Sequence, residues 1–258
     1  MKRGDIAVFS ISAGLSAMVV AAVAFSLLVI DRSPGSTAIG PGSSTSSLLI
    51  VAWGPNLCTA APFTPGCENG HVGQMGETFI LHGLWPQPPD EQFCAVPKRV
   101  ADRASALQGS DMPSVKLPED VRTNLQSVLS DVAIMAPHEW YRHGTCSDVK
   151  PAVYFSDAAT LTDQVRAVLD PVFAEARGEG MSLDTVRAQF DVRFGEGAGS
   201  RVGLTCRDVD GVGTLLFEVR LSLPPVADLR AADDTLSLGD LLAQGPPLST
   251  ECSQGRLL

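Results

Sequence analysis

Four histidines occur in the chain, His71, His82, His138 and His143, and two of them share the segment His138-Glu139-Trp140-Tyr141-Arg142-His143. On a helix at about 100° per residue, His138, Arg142, Glu139 and His143 fall within one arc and Trp140 and Tyr141 on the other. Two imidazoles, a carboxylate and a guanidinium on one face suit proton transfer at an anionic centre. Glu139 and His143 are four residues apart, as are His138 and Arg142. A carboxylate beside an imidazole raises its pKa and fixes its orientation. The plain alternative, a solvated face with scattered charge, does not explain why half of the histidines gather beside Gly144 and Cys146. The polar arc is expected to face a cleft and the aromatic arc to pack on the body.

Metal binding is the competing chemistry. Zinc hydrolases place two histidines four apart, as H-E-x-x-H. Here the spacing is H-E-x-x-x-H, which sets the rings about 140° and ~7.5 Å apart along the axis. No metal and no other cofactor is expected. His82 is the third candidate, placed near the end of a strand before Gly83, Trp85 and Pro86. Gly83 lets a group approach closely, and Trp85 offers a stacking face for a base. His71, in a glycine-rich stretch, reads as an ordinary surface residue.

The charge balance is −10. It excludes a protein that grips nucleic acid through a broad basic surface, so a polyanion has to be handled in a small, locally positive cleft. Ile6 to Ile30 carries no charge and comes after Lys2 and Arg3. A bilayer span takes about 20 apolar residues and a signal-peptide core about 7–15. Length favours an uncleaved anchor over residues 6–30. The competing reading is a signal peptide cut after Ala24. Either one exports the C-terminal part of the chain: a Gly/Ser/Pro linker over residues 31–46 and a globular domain over residues 47–258. The six cysteines, Cys58, Cys67, Cys94, Cys146, Cys206 and Cys252, all lie in that domain. An even number in an exported chain reads as three disulfides, and the sequence leaves their pairing open.

Positioning elements emerge from periodicity. Ser47 to Trp53 reads as a buried strand, and Glu77 to Trp85 as a second that ends at Gly83 and is stopped by Pro86. Asn56 to Val72 reads as loop, and Gln87 to Leu117 as a long covering excursion. Helices are expected over Pro118–Ile134, His138–His143, Ser156–Ala176 and Ser182–Phe194. Val202–Cys206 and Thr214–Leu223 read as strands joined by a turn at Asp210-Gly211. The class is α+β, an antiparallel sheet with packed helices.

Phe79 to Pro86 (FILHGLWP) and His138 to Cys146 (HEWYRHGTC) resemble, in order, the two active-site motifs of the ribonuclease T(2) family. Leu49 to Cys58 is similar to that family's first strand, and the likeness extends to Cys252. The resemblance implies metal-independent endonucleolytic cleavage of RNA and no cleavage of DNA, by a domain expected to be monomeric. It implies the pairs Cys58–Cys67, Cys94–Cys146 and Cys206–Cys252. It also implies His143 as general base, His82 as general acid, and His138 and Arg142 as donors to the phosphate, with Glu139 assisting. Arg142 stands where the family usually has Lys; the charge survives, but a planar fork replaces a point charge. Gln87 follows Pro86, where the family often has an acidic base-binding residue. The rival function is a non-catalytic domain that binds RNA or another ligand in an inherited cleft.

Overall fold

The computed structural model describes residues 44–107, 112–230 and 234–258. The expected anchor or signal segment (1–30) and most of the expected linker lie outside the described residues. Among those described, no helix is long and apolar enough to cross a membrane.

β1 (Ser46–Trp53) is an aliphatic run buried on both faces from Leu49 onward, as befits an interior strand. It pairs antiparallel with β2 (Phe79–Gln87) on one side and β5 (Gly213–Leu223) on the other. β4 (Val202–Val209) forms a hairpin with β5. β6 (Gln254–Arg256) adds to β5 in parallel through Leu215 and carries β3 (Gly180–Ser182). The sheet is therefore mixed, with every pairing but one antiparallel, and the α+β class expected from the sequence stands.

β2 does not stop at Gly83. It runs through Pro86, which pairs with Ser47. β2 is the terminal strand of the sheet, where a proline's missing N–H is tolerated.

Helix α6 (Pro151–Glu175) covers one face of the sheet. Phe173 closes a ring cluster with Trp53 and Phe79 at centroid distances of 5.3 and 4.6 Å, and the Tyr154 hydroxyl donates to the Leu84 carbonyl at 2.6 Å. α7 (Leu183–Phe194) is capped by Ser182, whose hydroxyl accepts from Thr185 N–H. Short helices occupy stretches that read as loop or covering chain: α1 (Gly54–Ala60), α2 (His71–Met75) and α3 (Lys98–Ser105). α8 (Leu238–Gln244) precedes β6.

The single helix expected over Pro118–Ile134 is two. α4 (Glu119–Val128) ends where Leu129 turns extended and bridges to Leu81. α5 (Val132–Arg142) restarts on Asp131, whose carboxylate accepts from Ile134 N–H. The His138–His143 segment is likewise no separate helix; α5 runs through Pro137 and ends at Arg142. Three disulfides form, Cys58–Cys67, Cys94–Cys146 and Cys206–Cys252, in the pairing the family likeness implies.

Candidate active site

A β-bulge brings Trp85 to the same face of β2 as His82. Ile50 of β1 pairs with Gly83 and Val51 pairs with Leu81, so His82 has no partner on β1. An extra residue of this kind shifts the alternation of the strand and re-aims a side chain. Phe79, Leu81 and Leu84 consequently face the main core. His82 and Trp85 turn to the opposite face, into a cavity of about 450 Å³.

The His82 Nδ1–H donates to Glu218 Oε1 at 2.6 Å. Glu218 is buried on β5 and also accepts from the Thr205 hydroxyl at 3.1 Å and from Arg220 at 3.1 Å. Burial opposes a charged imidazole, yet the Glu218 bond and charge, helped by Glu139, outweigh it and raise the His82 pKa above its ordinary 6.5. Burial would likewise raise the Glu218 carboxyl, but His82 and Arg220 hold it down to about 2.

α5 supplies the other half. His143 is its C-cap and leaves helical geometry at φ −121°. Its ring stacks on the indole of Trp85, 4.6 Å between centroids and 14° between planes, while the His82 ring meets the same indole edge-on at 5.1 Å. Two imidazoles from distant stretches of chain therefore converge on one tryptophan. Burial first, then the charges of Arg142, His138 and His82, push the His143 pKa down to about 2.

Glu139 does not pair with His143, as their helical spacing suggested. Its Oε2 accepts from Trp85 Nε1–H at 2.9 Å. Its Oε1 is buried without a hydrogen bond, 3.7 Å from His138 Nε2. Burial lifts its carboxyl to about 7 against the pull of His82, Trp85 and Arg142. Gly83 makes this contact possible: a Cβ there would lie 2.2 Å from both Glu139 Oε2 and Trp85 Nε1.

His138 donates from Nδ1 to the Ala104 carbonyl of α3 at 2.6 Å, which leaves Nε2 directed toward Glu139. Burial lowers its pKa, with Arg142 and His82 adding to the effect against the Ala104 bond. Arg142 is half-buried. Its Nε donates to Gln92 Oε1 at 3.0 Å, and its carbonyl accepts from Phe93 N–H at 2.9 Å. Those contacts, with Cys94–Cys146, tie the excursion after β2 to the end of α5.

The expected polar arc is thus the more buried side of α5, with His138, Glu139 and His143 all enclosed. Trp140 packs on the body against Tyr154. Trp85 is not a free platform for a base, since His143 occupies one of its faces. Gln87 turns its amide onto the carbonyls of Trp85 and Pro86, 3.3 and 3.1 Å away. His71 stays apart from the cluster and contacts the Gln126 carbonyl at 3.1 Å. Among the described residues, no group of three His, Cys, Asp or Glu is arranged to hold a metal ion.

Glu218 is the residue that sequence reasoning missed. The only signal was a carboxylate set among Leu215, Leu216, Phe217 and Val219. Beside it, Phe217 lines the cavity with Ala52 and Ile80, and the Arg207 guanidinium lies over its ring at 3.9 Å.

The fold holds a paired-histidine cleft of a kind suited to acid–base chemistry, and likeness to known proteins gives the family. The profile of the Ribonuclease T2 family matches residues 45–233. The chain belongs to the Ribonuclease T2 family of endoribonucleases. It is 34% identical over 110 residues to intracellular ribonuclease LX of Solanum lycopersicum, a match that spans 42% of this chain and 44% of that protein. It is 28% identical over 168 residues to ribonuclease MC of Momordica charantia, spanning 59% of this chain and 76% of that protein. A mutant of RNase MC1 solved with 5′-GMP superposes with a TM-score of 0.52 at 19% identity, covering 83% of this chain and all (100%) of that one. At that identity the superposition speaks for the fold alone.

Proposed function

We propose that this chain cleaves RNA by attack of the 2′-OH on the adjacent phosphate, without a metal ion, giving 2′,3′-cyclic and then 3′-phosphate ends. RNA carries its own nucleophile, so the protein has to move two protons and stabilise a more negative phosphorane. His143, neutral down to low pH, takes the 2′-proton. His82, held protonated by Glu218, gives its Nε2 proton to the departing 5′-oxygen. The 2′-oxygen–phosphorus bond forms as the phosphorus–5′-oxygen bond breaks. Arg142 donates to the non-bridging oxygens, and His138, whose Nδ1–H is committed to the Ala104 carbonyl, joins it from Nε2 when its ring is doubly protonated at acidic pH. The neutral form of Glu139, favoured below about pH 7, avoids repelling the phosphate. The leaving nucleoside occupies the cavity beside His82, where Arg207 and Phe217 offer a stacking surface.

The observation that carries this reading is the convergence of His82 and His143 on Trp85, with their proton affinities pushed in opposite directions. Such a split is how one site holds an acid and a base at the same pH. Export of the domain is part of the proposal, supported by three disulfides and the apolar stretch Ile6–Ile30. The test is turnover of polyuridylate against its deoxy counterpart with divalent ions chelated. Cleavage of the RNA alone is expected. RNA bound but left intact would favour the non-catalytic rival, and strong inhibition by EDTA that zinc reverses would return the site to metal chemistry.

A further inference from the structure

Two bulges, on two different strands, meet at one hydrogen bond. On β2 the unpaired residue is His82, between Leu81 and Gly83. On β5 it is Phe217: Thr205 of β4 pairs with Glu218 while Cys206 pairs with Leu216. The second slip turns Phe217 and Glu218 both to the cavity, although they are adjacent in sequence. β1 lies between these strands and presents Ala52, paired with Ile80 on one side and Glu218 on the other. With so small a side chain between them, the imidazole and the carboxylate meet across a strand at 2.6 Å.

We propose that Glu218 is the positioning residue for His82: it holds a proton on Nδ1 and so directs Nε2 at the leaving 5′-oxygen. The inference rests on His82 being the general acid of the proposed reaction. Before the transfer, the carboxylate stabilises the doubly protonated ring. After Nε2 has released its proton to the 5′-oxygen, the neutral ring is left as the Nδ1–H tautomer, the form that Glu218 accepts from. Glu218 is itself held by donors, Thr205 at 3.1 Å and the Arg220 fork at 3.1 and 3.2 Å, and Arg220 is shared with Glu251 at the cavity edge. It is 3% exposed, so water has little access to compete for its oxygens. The other charged groups acting on His82 are Arg220 from β5 and Glu139 from α5, with the rings of His138 and His143 coupled to it from the same helix; Thr205 faces it uncharged from β4.

The test is NMR titration of His82 in the full chain, assigned by comparison with His82→Asn, together with the pH profile of kcat/KM on RNA. In the wild type, His82 is expected to titrate above 6.5 and to persist above its midpoint as the Nδ1–H tautomer. An Nε2–H tautomer there overturns the inference, and this measurement needs no variant to fold. Glu218→Gln keeps an acceptor for Nδ1 but removes the charge. It is expected to lower the His82 midpoint by at least about one unit and to move the alkaline limb of the profile down by the same amount. A purely structural role would lower turnover without moving that limb. An unmoved His82 titration in Glu218→Gln overturns the inference, whereas RNA turnover that survives His82→Ala defeats the general-acid reading instead.

Discussion

Trp85 donates its indole N–H to Glu139 at 2.9 Å and carries the His143 ring on its face. One side chain of an edge strand therefore fixes a residue of α5 and that helix's C-cap. The contact passes over Gly83, where a Cβ would lie 2.2 Å from each partner.

Gly83→Ala is therefore expected to separate Trp85 from Glu139 and tilt His143 out of place. Turnover should fall at least about 10-fold, since displacements on the ångström scale carry such costs. Steady-state kinetics with a circular dichroism check of the fold reads this out; unchanged kcat/KM would show that the indole is not what orients the base.

His82→Ala and His143→Ala should each remove at least about 100-fold of the rate, the scale of general acid–base catalysis. His71→Ala should be nearly silent, because that ring sits apart from the cluster and hydrogen-bonds the Gln126 carbonyl. Wild-type turnover in either of the first two variants would take that residue out of its role.

The pH profile is set by the signs of the shifts. The base is competent once His143 is neutral, from about pH 2 upward. The acid is competent while His82 is protonated, up to a pKa above 6.5. Glu139 loses its charge below about 7, which favours phosphate binding on the acid side. The optimum should lie at or below neutrality, with an alkaline limb set by His82. A maximum above about pH 8 contradicts the assignment.

Glu139 should cost stability as pH rises. Its folded pKa of about 7 stands above the ordinary 4.5, so the folded chain binds more protons than the unfolded between these values. Stability is then lost as pH climbs through that window. Glu139→Gln is expected to raise stability at pH 8 by roughly 1–3 kcal/mol, with little effect at pH 4, while lowering activity. Denaturant melts at the two pH values decide it; equal effects at both would show the carboxyl to be ordinary.

Removing the Cys94–Cys146 bridge, by changing both residues to Ala, should cost about 2–4 kcal/mol. It should also raise KM for RNA, because the same strap carries the Gln92 and Phe93 contacts to Arg142. A lowered melting temperature with unchanged KM would separate the strap's stabilising role from any part in the site.

Much of the scaffold and the candidate site is legible in the sequence. Histidine spacing, the glycine after His82 and the tryptophan two residues further single out the side chains that the fold gathers into the candidate site, because histidines are few in this chain and cluster there. Strong apolar runs locate β1, β4 and β5, and helical spacing locates α6 and α7. Local pattern failed where long-range contacts overrode it. Pro86 reads as a stop, yet continues β2 because that strand ends the sheet. One helix is expected to end at Ile134 and another to start at His138, yet α5 runs continuously from Val132 to Arg142, while the true break falls at Leu129, drawn out by Leu81. The partner of Glu139 and the part played by Glu218 belong to the tertiary structure alone. Strand alternation assigns a face residue by residue, and two bulges, each defined only by a neighbouring strand, shift that assignment after His82 on β2 and after Phe217 on β5.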